Sequence, residues 1–195
     1  MSTGKNMILV GTHLPVLVRA FELSEGDVLE LGTGFFSTNI LRWLCEMSGR
    51  TLYSYETDMY WYNRAIRKPT SFQTDGDSDT EALMLTDGDL ESDTDKVFKV
   101  DSFDEIDLSC KHWGLALIDQ HPTSRRIVDI KRLVNLVDYI VIHDTNPEYE
   151  DYRHGRRKGY RYSEIWPLFK YRYDFTKYNP NTSVVSNFFP LERFK

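Results

Sequence analysis

The sequence predicts an α/β fold, a three-layer sandwich in which a seven-stranded, mostly parallel sheet lies between helices. Short apolar runs alternate with segments of helical periodicity, as parallel strands with crossover helices require. Residues 28–37, VLELGTGFFS, are typical of a buried strand that breaks into a glycine turn and then a helix. The segments 171–177 and 183–189 flank the turn-rich sequence YNPNT, which predicts an antiparallel pair at the end of the chain.

The remaining elements follow in a regular order. An amphipathic lead-in helix is predicted over 12–23, and a helix beginning at Ser37 or Thr38 and running to Met47 follows the first strand. The short apolar strands indicate burial on both faces of a parallel sheet. The first five predicted strands are 27–31, 51–55, 97–100, 114–118 and 139–142, and the other predicted helices are 58–66 and 124–136.

Length and composition favour a single domain over residues 1–195, because 41% hydrophobic and 14% aromatic content supplies one well-buried core. Cys45 and Cys110 lie far apart with no metal-ligand spacing, and no long apolar signal segment opens the chain. We therefore expect the reducing cytoplasm. No run approaches the roughly 18 apolar residues that indicate a membrane span, so we expect no membrane partner. The oligomeric state stays open.

The charge is distributed unevenly. The formal charge of −6 argues against a surface that binds nucleic acid throughout. Residues 74–95, however, hold nine acids and no Lys or Arg, and setting those nine charges aside leaves +3 for the rest of the chain. We expect a solvated acidic insertion over 70–95, in which like charges repel one another.

The glycine turn and the acid before it indicate the cofactor. Gly32 and Gly34 fill the first two positions of the dinucleotide fingerprint G-x-G-x-x-G, but Ser37 stands at the third. Glu30 places a negative charge where a pyrophosphate would bind and would repel it. A ligand without phosphates, with a cationic sulfonium and an α-amino group, would be attracted instead. S-adenosylmethionine fits that description.

With this turn and the closing strand pair, the chain resembles the class I, Rossmann-like S-adenosylmethionine-dependent methyltransferases over nearly its whole length. The resemblance implies the strand order 3-2-1-4-5-7-6 with an antiparallel last strand. It is nearest in style to the O-methyltransferases of small molecules and sugars, including the catechol type. The implied activity is methylation of a hydroxyl group on such a molecule.

The same resemblance implies how the cofactor binds. It places Glu30 and residues 32–34 around the methionine part, Glu56 on the ribose hydroxyls and Asp101 on the adenine amino group. His13 is placed to reach the methionine carboxylate, with capping or packing as its alternative role, and a helix cap is the alternative for Asp101. The candidate cofactor-binding residues are His13, Glu30, Gly32, Thr33, Gly34, Ser37, Glu56, Asp101, Ser102 and Asp119.

Polar clusters follow the fourth and fifth strands, where ligands of open α/β sheets bind. In the O-methyltransferases that these clusters resemble, acids at the two strand ends hold Mg²⁺ against the substrate hydroxyl. Asp119 and Asp144 match those acids, and His143 or Asn146 is the candidate third ligand. Mg²⁺ prefers hard oxygen ligands, so the predicted metal set is Asp119, Asp144 and Asn146.

The acceptor hydroxyl must also lose a proton. Pro122 stands where the catechol-type enzymes have a lysine base, so His121 or His143 is the candidate base, because imidazole titrates near neutral pH. Either histidine could equally hold a loop through hydrogen bonds. The candidate catalytic residues are Asp119, His121, His143 and Asp144.

A basic and aromatic lid is expected over 147–170, and the flap 153–173 mixes Arg and Lys with Tyr. This composition suits a polyanion, so a nucleic-acid acceptor is one alternative; the other interpretation pairs these cations with the protein's own acids. The Asn/Asp-Pro-Pro-Tyr/Phe tetrapeptide typical of amino-methylating nucleic-acid enzymes does not follow strand four. A non-catalytic cofactor-binding or assembly module of the same fold is the remaining alternative.

Overall fold

The computed structural model describes residues 11–67, 94–147 and 159–195. Their strands form one sheet in the order β3-β2-β1-β4-β5-β7-β6, in which β1 to β5 run parallel and β7 runs antiparallel to both β5 and β6. The predicted fold class and strand order are confirmed. The strands are β1 Val28–Leu31, β2 Leu52–Glu56, β3 Asp95–Lys99, β4 Trp113–Ile118, β5 Val137–His143, β6 Tyr171–Phe175 and β7 Thr182–Ser186.

Four α-helices accompany these strands within the described residues: α1 Leu14–Leu23, α2 Ser37–Ser48, α3 Met59–Ile66 and α4 Arg126–Leu133. Asp58 caps α3, accepting hydrogen bonds from the amides of Tyr60 at 2.9 Å and Trp61 at 3.1 Å. The helix predicted over 124–136 is shorter in the structure, where a 3-10 turn, Thr123–Arg125, precedes α4. None of these helices is both long enough and apolar enough to cross a membrane.

Two apolar cores hold the sheet, one on each face. On the first face Leu17 and Phe21 of α1 pack with Val28 and Leu115. α2 and α3 meet where Arg42 donates a 2.7 Å hydrogen bond to the Ala65 carbonyl. On the other face α4 packs in a second core, whose members include Leu29, Leu31, Trp113, Ile130 and Tyr162. The carboxyl ends of the central strands are thereby fixed at one edge of the sheet.

Most of the acidic insertion, 70–93, and the part of the lid over 148–158 lie outside the described residues. The predicted end of the insertion is corrected at Asp95, which is the first residue of β3. Its carboxylate is 3% exposed and forms a 2.5 Å ion pair with Arg42, itself buried. Asp95 therefore belongs to the packed domain, because a buried guanidinium needs an acidic partner.

Candidate cofactor and acceptor site

A cavity of about 670 Å³ opens at the carboxyl edge of the sheet, a volume within the usual range for small-molecule sites. It brings together most of the residues that the sequence suggested for the cofactor. Those that line it are His13, Gly32, Thr33, Gly34, Ser37, Glu56 and Asp119. Of the remaining catalytic candidates, His121 and His143 line it as well. Sequence reasoning gave no site role to Phe35, Thr57, Asp58 or Pro180, which complete much of the wall.

Gly32 lets the turn after β1 approach the end of β4. Its φ is +88°, and a Cβ atom there would lie 2.4 Å from the Cα of Gln120. Such a contact is far inside van der Waals distance, and a positive φ disfavours any side chain. Glycine is therefore required at this position by the packing of the two strand ends.

Glu30 does not line the cavity; it lies beneath the glycine turn with no exposed surface. It accepts hydrogen bonds from Ser54 Oγ at 2.6 Å and Thr38 Oγ1 at 3.0 Å. Burial raises its pKa to about 7, although these hydrogen bonds act in the opposite direction. Because the amide of Gly34 donates to Thr38 Oγ1 at 2.9 Å, Glu30 supports the turn through Thr38.

Glu56 lines the cavity and is 4% exposed. Its Oε2 accepts from the amide of Thr33 at 2.9 Å and its hydroxyl at 3.1 Å, while Oε1 accepts from the amides of Thr57 at 2.7 Å and Asp58 at 2.8 Å. A carboxylate offers about four lone-pair directions, so all are used. Glu56 therefore joins the glycine turn to the start of α3.

Two of the predicted adenine residues lie outside the cavity lining. The side chain of Asp101 is 97% exposed and 3.8 Å from Lys99 Nζ. Ser102 caps the 3-10 turn Phe103–Glu105, where its hydroxyl accepts from the amide of Asp104 at 3.1 Å. The helix cap that was the alternative role for Asp101 is therefore provided by Ser102.

Arg126 ties the ends of β4 and β5 together, a role that sequence reasoning did not assign. This guanidinium is buried; Nη2 donates to Asp119 Oδ1 at 2.8 Å and Nη1 donates to Asp144 Oδ2 at 3.2 Å. It also donates to the carbonyls of Gln120 at 2.9 Å and His143 at 3.0 Å. A cation of the protein itself therefore lies between the two acids that the sequence suggested for Mg²⁺.

The oxygen-only Mg²⁺ set is not assembled. Asp144 has a φ of 60° and pairs with Arg126. Asn146 donates to Asn179 Oδ1 at 2.8 Å and accepts from the amide of Asn181 at 2.7 Å. Neither Asp144 nor Asn146 is part of the cavity lining. Since Mg²⁺ needs converging, uncommitted oxygen ligands, the residues present do not fit this ion.

Two histidines surround the third member of that set, Asp119. His143 Nδ1 lies 3.1 Å from Asp119 Oδ2, and its Nε2 lies 3.1 Å from Thr12 Oγ1. The ring of His13 makes an edge-on contact with that of His143, with centroids 4.6 Å apart. His13 is 5% exposed, and neither of its ring nitrogens has a hydrogen-bond partner in the described parts of the chain.

The pKa values of the two imidazoles, His13 and His143, shift in opposite directions. Burial, with a smaller effect of His143, lowers the pKa of His13 to about 4, so this ring is neutral at pH 7. For His143, burial acts to lower the pKa, but the hydrogen bond and charge of Asp119 outweigh it and raise the pKa. Burial likewise opposes ionisation of Asp119, but Arg126 and His143 prevail and lower its pKa. Asp119 is therefore ionised at neutral pH.

No protein-family model and no curated protein sequence matches this chain. Several solved structures match it. One is a candidate O-methyltransferase from Klebsiella pneumoniae, 14% identical with a TM-score of 0.60 over 95% of this chain and 83% of that one. Another is cofactor-bound Rv0187 from MTB, 14% identical with a TM-score of 0.57 over 95% and 84%. A third is the N-terminal domain of human METTL16 in complex with SAH, 13% identical with a TM-score of 0.53 over 97% and 75%.

These matches extend over almost the whole of this chain. The chain has the Rossmann-like fold of the class I methyltransferases. The resemblance inferred from the glycine turn and the closing strand pair is confirmed at the level of the fold.

Proposed function

We propose that this chain is an S-adenosylmethionine-dependent methyltransferase acting on a hydroxyl group of a small molecule or sugar. The observation that carries the proposal is the cavity of about 670 Å³ built from the glycine turn and Glu56, at the sheet edge where this fold binds ligands. A structural neighbour with the same fold, the METTL16 domain, is in complex with SAH. The volume accommodates a cofactor and a small acceptor together.

The cavity lining supports an assignment of the cofactor's parts to residues. The methionine end would lie at the glycine turn between His13 and Ser37, and the ribose at Glu56. A ribose hydroxyl would replace the Thr33 hydroxyl, since backbone amides hold the other lone pairs of Glu56. Trp61 lines the opening and offers a stacking surface for adenine. Asp101 is exposed and is not needed in this assignment.

The bound cofactor supplies an activated methyl group, so the protein mainly positions the acceptor and removes its proton. His121 lines the cavity and is exposed, whereas both ring nitrogens of His143 are engaged. Within the predicted catalytic set, we assign proton removal to His121. Asp119 and Asp144 hold Arg126 and serve to fix the strand ends. We propose no Mg²⁺-assisted step, because the predicted oxygen ligands do not converge.

Calorimetric titration of the folded, ligand-free chain with S-adenosylmethionine and S-adenosylhomocysteine tests the proposal. We expect both to bind, and Glu56→Ala to weaken binding about 5- to 150-fold, because a hydrogen bond to a charged group is worth roughly 1 to 3 kcal/mol. Asp101→Ala is the matched control and should bind as wild type, since Asp101 lies outside the cavity. Absence of binding to the wild-type chain would overturn the proposal.

A nucleic-acid acceptor is the second candidate, from the composition of the flap 153–173. In its described part, Arg161 pairs with Glu164, while Arg172 pairs with Asp174 at 2.8 Å and stacks on Trp166 at 3.7 Å. Arginines already paired with the protein's own acids favour the small acceptor. Steeply salt-dependent binding of single-stranded RNA would favour nucleic acid instead. Cofactor binding without methyl transfer to any acceptor would favour the non-catalytic module.

The proposed compartment is the cytoplasm. Cys45 and Cys110 are both free thiols, the first buried and the second exposed. An exposed thiol suits a reducing compartment, which supports this part of the proposal.

A further inference from the structure

The proposed function places His13 beside the methionine end of the cofactor but assigns no binding partner to its ring nitrogens. Its side chain is 5% exposed and lines the cavity, yet neither ring nitrogen has a partner among the described residues. A buried polar group without a partner costs about 1 to 3 kcal/mol. Such a cost indicates that something in the cavity binds this ring.

Asp119 and His143 provide two further ligand atoms beside it. One nitrogen of each histidine and one carboxylate oxygen of Asp119 all lie within 4.8 Å of one another. Asp119 Oδ2 and His143 Nδ1 are 3.1 Å apart. An ionised carboxylate only accepts hydrogen bonds, so either a hydrogen or a metal ion must lie between these two atoms. In the ligand-free chain it is a proton on Nδ1, and a metal ion can take its place.

The other polar atoms of His143 and Asp119, Nε2 and Oδ1, already have hydrogen-bond partners. Thr12 Oγ1 donates its single hydrogen to the Pro180 carbonyl at 2.8 Å and must therefore accept from His143 Nε2–H at 3.1 Å. Arg126 holds the other oxygen of Asp119 at 2.8 Å. Metal ligands in proteins are oriented by outer partners of this kind. They leave His143 Nδ1 and Asp119 Oδ2 turned toward each other, next to the unpartnered ring.

We propose that His13, Asp119 and His143 form a binding site for a divalent transition metal, with Zn²⁺ as the best fit. Two imidazoles and one carboxylate suit Zn²⁺ and its first-row neighbours, whereas Mg²⁺ takes oxygen ligands. Three protein ligands leave a fourth position for water or for a ligand in the cavity. The charge of Arg126 is shared with Asp144, which limits its repulsion of the ion.

Binding needs one proton transfer and a small movement. The ion displaces the proton from His143 Nδ1 to solvent, while Nε2–H continues to donate to Thr12 Oγ1. Zn²⁺ ligand distances of about 2.0 to 2.2 Å put ligand atoms roughly 3 to 4 Å apart, so the group contracts by about 1 Å. His13 makes no hydrogen bond within the described residues that would oppose this movement.

The experiment is a titration of the untagged, chelator-treated chain with Co²⁺, whose visible absorption reports coordination by nitrogen and oxygen, followed by displacement with Zn²⁺. We expect one Co²⁺ per chain, displacement by one equivalent of Zn²⁺, and no displacement by Mg²⁺ at the same concentration. His13→Ala should lower the affinity about 100-fold or more, since even outer partners are worth 10- to 100-fold. Thr12→Val should lower it about 10-fold or more for the same reason.

His121→Ala is the matched control. His121 is the third histidine of the cavity lining and lies outside the proposed site, so this variant should bind Co²⁺ as wild type does. His13→Ala removes no hydrogen bond among the described residues. His13→Gln is the second variant should the smaller side chain impair folding, which circular dichroism reports. The proposal is overturned if the wild type binds no stoichiometric Co²⁺, if the folded His13 variants bind it unchanged, or if His121→Ala is equally impaired. The titration contains no S-adenosylmethionine, so its outcome is separate from that of the cofactor titration.

Discussion

Replacing Glu30 by Gln should remove a large pH dependence from the stability of the domain. Burial raises the pKa of Glu30 from the ordinary value of 4.5 to about 7 in the folded chain. The folded chain therefore holds this proton more tightly than the unfolded chain. The protonated carboxyl of Glu30 therefore stabilises the fold. This stabilisation is fully present below pH 4.5, is lost as the pH rises through about 7, and is absent at higher pH. The gap between the two pKa values corresponds to about 3 kcal/mol of unfolding free energy.

Urea unfolding of wild type and Glu30→Gln at pH 4.5 and pH 8 measures this effect. Gln is neutral at both pH values, so the stability of the variant relative to wild type should improve by about 3 kcal/mol from the lower to the higher pH. Ser54→Ala tests whether the pKa of Glu30 is responsible. The 2.6 Å hydrogen bond from Ser54 lowers that pKa, so its removal should shift the loss of stability to higher pH. An equal difference between wild type and Glu30→Gln at both pH values would refute the raised pKa.

Two further predictions follow from the geometry, each with a control variant. Gly32→Ala should lower the unfolding free energy by about 2 kcal/mol or more, because of its positive φ and the clash with the Gln120 backbone. Gly49→Ala is the control: it has a φ of +69° but no atom within 4 Å of the added Cβ, and it should cost only about 1 kcal/mol. Arg126→Met removes the guanidinium that the two strand-end acids share and should cost about 3 to 5 kcal/mol in urea unfolding. Arg172→Met, at a partly exposed pair, should cost less than about 1 kcal/mol. A similar loss for Arg126→Met and Arg172→Met would contradict the bridging role of Arg126.

The fold could be predicted because its signals are local. The apolar runs, the glycine turn and the helix starts are read over windows of about ten residues, and most boundaries in the structure differ by one to three residues from those expected. The order of the strands is not local, and it came from the resemblance. The helix over 124–136 was overextended because its periodicity continues past Leu133, where the chain turns to enter β5.

The site was predicted less completely, because side-chain partners come from distant segments. Asp119, Arg126 and Asp144 lie on β4's end, α4 and β5's end, and no spacing in the sequence indicates that a guanidinium joins the two acids. The signal for Glu30 was present, however. Side chains alternate along a strand, so Glu30 shares the α2 face of the sheet with Val28, while Leu29 and Leu31 face the opposite core.

The buried position of Glu30 means that another feature of the cavity must disfavour a dinucleotide. Glu30 lies beneath the turn and has no surface in the cavity, so it does not repel a pyrophosphate directly. The acids that line the cavity are Glu56, Asp58 and Asp119, and in the described residues no Lys or Arg lines it. A pyrophosphate would meet acids without a compensating cation other than His143. A cationic sulfonium and an ammonium group meet favourable charge there. The acids of the cavity wall, and not Glu30, therefore favour S-adenosylmethionine over a dinucleotide.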